Sequence, residues 1–343
     1  MLTSGRPFAS YHLWSLVAPA LGQERWHCQM KRGFIKARQK EPIIKALLAQ
    51  ASPPQRIGLL AQKGVYEFHH HRQLLNQPDG VEQVAQMLKL SKSSDEVQQR
   101  VIQILKNYHD DPVLEGKHII ELTSGDEGFP RPILIDQKNY HFRLYATMDC
   151  IFTEQDRTLH ILDFKTGRSA FDKRQALVYL VAARYLYPHQ QAVASFYNLE
   201  RCKKSDLISV TSSQLDAIEN QLAMVAQKHQ QDVRQYQENP SKFSAIFPPT
   251  PGSHCRYCPF HTICEFSALK PSKWLKCSSV GLSMWSVIYP NAYHPKQRTE
   301  LVRRSRLWAA SKSMLLDLSA AQVALCFFAL LPNNLVQRSL TTL

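Results

Sequence analysis

The stretch LHILDFKTGRS, residues 159–169, decides how this chain is to be folded. Its apolar run has the length of a buried strand and stops at a glycine turn signal. Successive side chains of a strand point to opposite faces, so Leu162 and Phe164 share one face while Asp163 and Lys165 share the other. A carboxylate and an ammonium held side by side there are either a structural ion pair or the working parts of a site.

Upstream, NYHFRLYATMDCIF (139–152) sets Phe142, Leu144, Ala146, Met148, Cys150 and Phe152 against His141, Arg143, Tyr145, Thr147 and Asp149. This period of two predicts one strand with Asp149 on its more polar face. TEQDR (153–157) supplies a turn, so the two strands should pair as an antiparallel hairpin that brings Asp149 near Asp163. Downstream, a helix is expected from about Asp172 to Tyr187, ended by Pro188, with Gln175 and Tyr179 four apart on one face. QAVASFYNLE (191–200) reads as a further strand. TSSQLDAIENQLAMVAQKH (211–229) reads as an amphipathic helix with a Thr or Ser cap and a stripe of Leu215, Ile218, Leu222 and Val225. Residues 41–110 read as helices, EPIIKALLAQ and VEQVAQMLKL among them, separated by the turns SPPQ and NQPDG.

Two carboxylates on adjacent strands offer hard oxygen ligands for Mg²⁺ or Mn²⁺. A metal-bound water is then the nucleophile, and Lys165 can orient or deprotonate it and neutralise charge developing on phosphorus. The chemistry suggested is phosphodiester hydrolysis. Charge agrees: 42 Lys and Arg against 28 Asp and Glu leave a net +14, a surplus that suits polyanions, although a basic surface can also be inert.

The order of Asp149, then Asp163-Phe164-Lys165-Thr166-Gly167, then Gln175-x-x-x-Tyr179 resembles the PD-(D/E)XK nuclease core in its RecB-like branch. The resemblance implies an α/β fold of restriction-endonuclease type, a mixed central sheet flanked by helices. It makes Asp149 and Asp163 metal ligands, Lys165 the catalytic lysine, and Gln175 and Tyr179 supporting or DNA-contacting residues. Many members carry G-x-x-x-H on an earlier helix, with the His on the metal. Gly64 to His69 is one residue longer, which turns the side chain by about 100°, so His69 or Glu67 would take that role. The run His69 to His71 cannot otherwise converge on one ion and reads as surface histidine.

The eight cysteines are scattered apart from Cys255-x-x-Cys258-x₅-Cys264, which excludes a secreted disulfide scaffold and is a strong metal-ligand signal. Cys28 is the natural fourth. AddB-type and CRISPR-associated exonuclease domains are similar in having one cysteine before the core and three after it, which implies a [4Fe–4S] cluster on Cys28, Cys255, Cys258 and Cys264. Zinc is the alternative, with His254 or His261 in place of Cys28. Cys150, Cys202, Cys277 and Cys326 read as ordinary cysteines.

The expected organisation is an N-terminal segment (1–20), a nuclease domain (21–267) that includes a helical region (41–130) and the cysteine loop (255–264), and a tail (268–343). The tail carries a basic run from Lys270 to Lys312 and an apolar stretch, 314–331, interrupted by Asp317 and Gln322. A nucleic-acid arm, a membrane-surface segment and a part without folded role all fit it. The function expected is a metal-dependent DNA exonuclease acting on ends or single strands, with Lys31, Arg32, Lys36 and Arg38 tracking the phosphate backbone. It would be cytoplasmic, without membrane association, serving repair or CRISPR spacer acquisition beside a helicase or adaptation partner. A catalytically silent DNA-binding scaffold and a structural zinc protein that binds RNA are the rival readings.

Overall fold

In the computed structural model, residues 6–24, 27–50, 52–128, 130–167 and 171–267 are described. The basic run, Cys277, Cys326 and the apolar stretch of the tail lie outside them. Among the described residues, β6 (Leu159–Lys165) is the middle of a five-stranded sheet in the order β2 (His118–Leu122), β5 (Cys150–Thr153), β6, β7 (Ala192–Asn198), β8 (Lys203–Lys204). The expected hairpin is present: β5 and β6 pair antiparallel with Cys150 opposite Leu162. β6 and β7 run parallel, with Asp163 opposite Phe196. A parallel pair needs a crossover, and α7 (Lys173–Leu186) supplies it, capped by the Asp172 side chain and ending before Pro188.

Alternation along the sheet divides two cores. Ile161, Ala194 and Phe196 turn toward α7 and α8 (Ser212–Glu238). Leu162, Phe164 and Tyr197 turn toward α4 (Pro53–His70), α5 (Gly80–Met87) and α6 (Asp95–Asp110). Covered on both faces, β6 has no need of polar residues except where a site requires them. Thr211 caps α8, with Gln214 completing a capping box. Of the expected stripe, Ile218, Leu222 and Val225 are buried and Leu215 packs at the edge of that core.

A three-stranded sheet, in the order β1 (Phe8–Ser10), β4 (Tyr140–Tyr145), β3 (Ile133–Gln137), adjoins the first core. Here the structure corrects the expected single strand at 139–152. Residues 146–149 carry the chain from β4 in one sheet to β5 in the other, and the alternation changes phase across them. Phe142, Leu144 and Ile151 enter the first core, whereas Cys150 and Phe152 enter the second. A period of two survives only while the backbone stays extended. Part of the N-terminal segment packs into this core: Ala9, Leu13 and Trp14, from β1 and α1 (Tyr11–Val17), are buried beside Phe142. The helical region stops at Asp110, short of 130, because β2 follows as an edge strand whose exposed and half-buried residues hid its pattern. Among the described residues no helix is long and apolar enough to cross a membrane.

One polar chain runs inside the sheet. His160 places Nδ1 2.7 Å from Glu154 Oε1 and Nε2 2.7 Å from Ser195 Oγ. Ser195 is 1% exposed, so this trio ties the β5–β6 turn to β7 and is closed to substrate. Burial lowers the His160 pKa from its ordinary 6.5, which leaves a neutral ring that donates to Glu154 and accepts from Ser195. A histidine with depressed pKa contributes stability that is present above that ordinary value and is lost as pH falls below it. Ser195→Ala is expected to cost about 1–2 kcal/mol in urea unfolding at pH 7.5 and to leave nuclease activity unchanged.

Candidate active site

At the carboxyl end of β6, Asp163 is 2% exposed. Its Oδ1 accepts hydrogen bonds from Gln175 Nε2 at 2.9 Å and Tyr179 Oη at 2.6 Å. Both donors come from α7, where a spacing of four residues stacks them on one face. Burial, followed by the charge of Asp163, raises the Tyr179 pKa far above its usual range, so the phenol keeps the proton it donates. Asp163 Oδ2 is also buried, yet takes no hydrogen bond from any described residue; the Lys165 ammonium packs against it as an ion pair.

Asp149 closes the other side. Its Oδ2 accepts the Phe164 N–H at 2.8 Å, and its Oδ1 accepts from Gln62 Nε2, on α4, at 3.1 Å. Burial first, and the neighbouring Asp163 charge second, push the Asp149 pKa well above the carboxylate range, with Lys165 acting in the opposite sense. An all-oxygen pair of buried carboxylates, with only the exchangeable Lys165 ammonium on Asp163 Oδ2, fits Mg²⁺ or Mn²⁺. Gly167, at φ +83°, turns the chain away after Lys165 and Thr166, a left-handed conformation that glycine adopts without strain. A cleft of about 460 Å³ opens onto Lys165, Thr166 and Gln175, with Tyr11, Ser15 and His27 on its other wall.

A family model of the PD-(D/E)XK nuclease superfamily matches residues 32–265. The chain belongs to this superfamily. No curated protein matches it. The solved structure of SSO0001 aligns over 70% of this chain and 95% of its own at 13% identity, with a TM-score of 0.26. Membership in the PD-(D/E)XK superfamily brings nuclease activity, a nucleic-acid substrate and the general use of Mg²⁺ or Mn²⁺.

Within that superfamily frame, α4 needs correcting. His69 does not meet the carboxylates: its Nε2 lies 2.6 Å from Tyr108 Oη, and burial lowers its pKa to about 4. Glu67 sits 3.8 Å from His71. The α4 residue that reaches Asp149 is Gln62, two helical turns before His69. Gly58-x-x-x-Gln62 carries the G-x-x-x-H spacing with an amide in place of the imidazole, a signal already present in the sequence. A Cβ on Gly58 would stand 3.4 Å from Thr166 Oγ1, which shows how closely α4 passes the D-x-K-T-G turn.

The basic residues of α2 (Gln29–Lys36) and the turn after it are mostly engaged within the fold. Arg32 is 1% exposed, pairs with Asp232 at 2.7 Å and lies over the Phe247 ring, so it is a core residue and not a phosphate contact. Arg38 pairs with Glu41 at 2.6 Å and stacks on Phe34 and Phe243. Lys36 lies over Phe8, and burial lowers its pKa. Long cationic stems cover apolar surface readily, and composition alone does not reveal which ones do. Lys31 is half-buried on the same helix.

Cys28, at the N-cap of α2, packs with Cys258 and Cys264 around the small core of Met30, Phe34, Ile44 and Phe260. Cys255 is buried in the turn before them. Burial raises the Cys258 pKa, and Cys28 and Cys264 are close enough to raise it further. Among the described residues no group of three or more His, Cys, Asp or Glu closes to metal-binding spacing, and no disulfide joins these four cysteines. His261 directs Nδ1 to the Cys258 carbonyl at 2.9 Å, whereas Cys28 joins the thiols themselves.

Proposed function

We propose that this protein is a Mg²⁺- or Mn²⁺-dependent DNA exonuclease working on ends or single strands. The observation that carries the reading is the pair of buried carboxylates, Asp149 and Asp163, with the Lys165 ammonium in ion contact with Asp163 Oδ2 and opening on a cleft. Asp149 and Asp163 would hold the ion, which when bound supplies Lewis-acid charge at the scissile phosphate and a more acidic water. Lys165 orients that water from the Asp163 side and balances charge on the phosphorus. Gln175 and Tyr179 keep Asp163 in one rotamer by filling its Oδ1, and the Phe164 N–H does the same for Asp149. A silent scaffold would have no need to hold two carboxylates and a lysine in this arrangement at a burial cost.

Cys28, Cys255, Cys258 and Cys264 would hold a [4Fe–4S] cluster, supported by the gathering of Cys28 with Cys258 and Cys264 across more than two hundred positions. The cytoplasm, where thiols stay reduced, is the setting such a clamp suits. Repair by recombination and CRISPR spacer acquisition are the settings this activity fits, with unwinding left to a helicase or adaptation partner. The test is digestion of end-labelled linear and of circular single-stranded DNA with Mg²⁺ or Mn²⁺. Loss of the linear strand with the circle spared is expected. Cutting of both makes it an endonuclease, and binding without cutting makes it a scaffold.

A further inference from the structure

The amide of Gln62 is the part of α4 that meets the carboxylate pair. Its Nε2 donates to Asp149 Oδ1 at 3.1 Å and to Thr123 Oγ1 at 3.0 Å, with the Thr123 carbonyl at 3.4 Å. Thr123 is anchored in turn, its N–H donating to the Asp149 carbonyl at 2.9 Å. Three acceptors around one NH₂ set which end of the amide faces Asp149. Gln62 therefore grips one oxygen of Asp149 while the Phe164 N–H grips the other at 2.8 Å. The α4 histidine two turns on is turned to Tyr108.

We infer that Gln62 is a positioning residue that also sets the metal preference of the site. It holds Asp149 in place without offering imidazole nitrogen, so the side chains that would hold the ion, Asp149 and Asp163, offer oxygen alone, and the balance between Mg²⁺ and Mn²⁺ would stay toward Mg²⁺. Mg²⁺ demands oxygen ligands and keeps its waters, whereas Mn²⁺ tolerates nitrogen more readily. This inference rests on the metal-dependent reading above.

The test is binding, not turnover. Mn²⁺ is titrated into the full chain by electron paramagnetic resonance, with Mg²⁺ as competitor and Asp163→Asn as the control for binding elsewhere. Gln62→His is expected to raise the Mn²⁺-to-Mg²⁺ affinity ratio about tenfold by adding a nitrogen ligand. Gln62→Met, which keeps length but loses the donor, is expected to weaken both ions by about 10–100-fold with the ratio unchanged. An unmoved ratio in Gln62→His overturns the inference and leaves the nuclease reading standing. Should Gln62→His not fold, unchanged affinities in Gln62→Met overturn it in the same way. Failure of the wild type to bind either ion at this site overturns both.

Discussion

Lys165→Met is expected to slow DNA hydrolysis by about 1,000-fold while the protein stays folded and still gains thermal stability from Mg²⁺. The ammonium lies against Asp163 Oδ2, with 29% of its side chain exposed toward the cleft, so its loss removes a charge from the reacting side and not from the core. Asp163→Asn should be equally inactive for a different reason: Mg²⁺ no longer shifts its melting temperature. The two variants also part company in pH dependence without metal. Asp149 holds its proton more tightly folded than unfolded, because of burial and then Asp163. The metal-free wild type should lose stability as pH rises from the ordinary carboxylate range toward that raised pKa. Asp163→Asn removes the charge that helps raise it, so its melting curve should be flatter over the same range. Melting of both variants between pH 5 and 9, with EDTA or Mg²⁺, reads this directly. Full activity in Lys165→Met would reduce the D-x-K pair to a structural ion pair.

Replacing any one of Cys28, Cys255, Cys258 or Cys264 by serine should remove iron from anaerobically purified protein and lower the melting temperature by roughly 10 °C, the equivalent of about 3–5 kcal/mol in a domain of this size. The reasoning is structural. Among the described residues the core around these thiols has Met30, Phe34, Ile44 and Phe260 as its buried apolar side chains, with Ile35, Leu47, Phe243 and Ile263 half-buried against it, a small area to fasten the 255–264 loop to α2 unaided. Cys202 is exposed and away from this group, so Cys202→Ser is the control and should change neither property. Zinc in place of iron would keep the stability loss and remove the brown colour. A wild type without either metal, melting like its Cys28→Ser variant, would leave the four as ordinary packed thiols.

Much of the site was legible in the chain because it is written at short range. Asp163 and Lys165 share a face by the period of a strand, and Gln175 and Tyr179 share one by the period of a helix. Both pairs are where those periods put them, on the same side of the sheet. The helix ends at Asp172 and Pro188 and the Thr211 cap followed from local chemistry in the same way. That Cys258 and Cys264 lie close together was readable too, since short spacing within one loop is a local property.

Other features depended on neighbours distant in sequence. Asp149 keeps company with Asp163 although the strand expected to carry it breaks, because hairpin pairing brings β5 to β6 and backbone Phe164 grips the carboxylate. Gln62 rather than His69 faces the site because the rotation of α4 is set by Ile57, Ala61, Val65 and Phe68 packing on the sheet, and that leaves His69 to Tyr108. Arg32 reads as a surface cation until α8 places Asp232 against it and the segment beyond α8 places Phe247 beneath it. The sequence by itself determined the strand, the helix and the acid–lysine pair they present, because backbone periodicity is local. Only the tertiary structure decided which α4 side chain completes the pair and which cations turn inward, because helix rotation and burial are settled by contacts summed across the whole core.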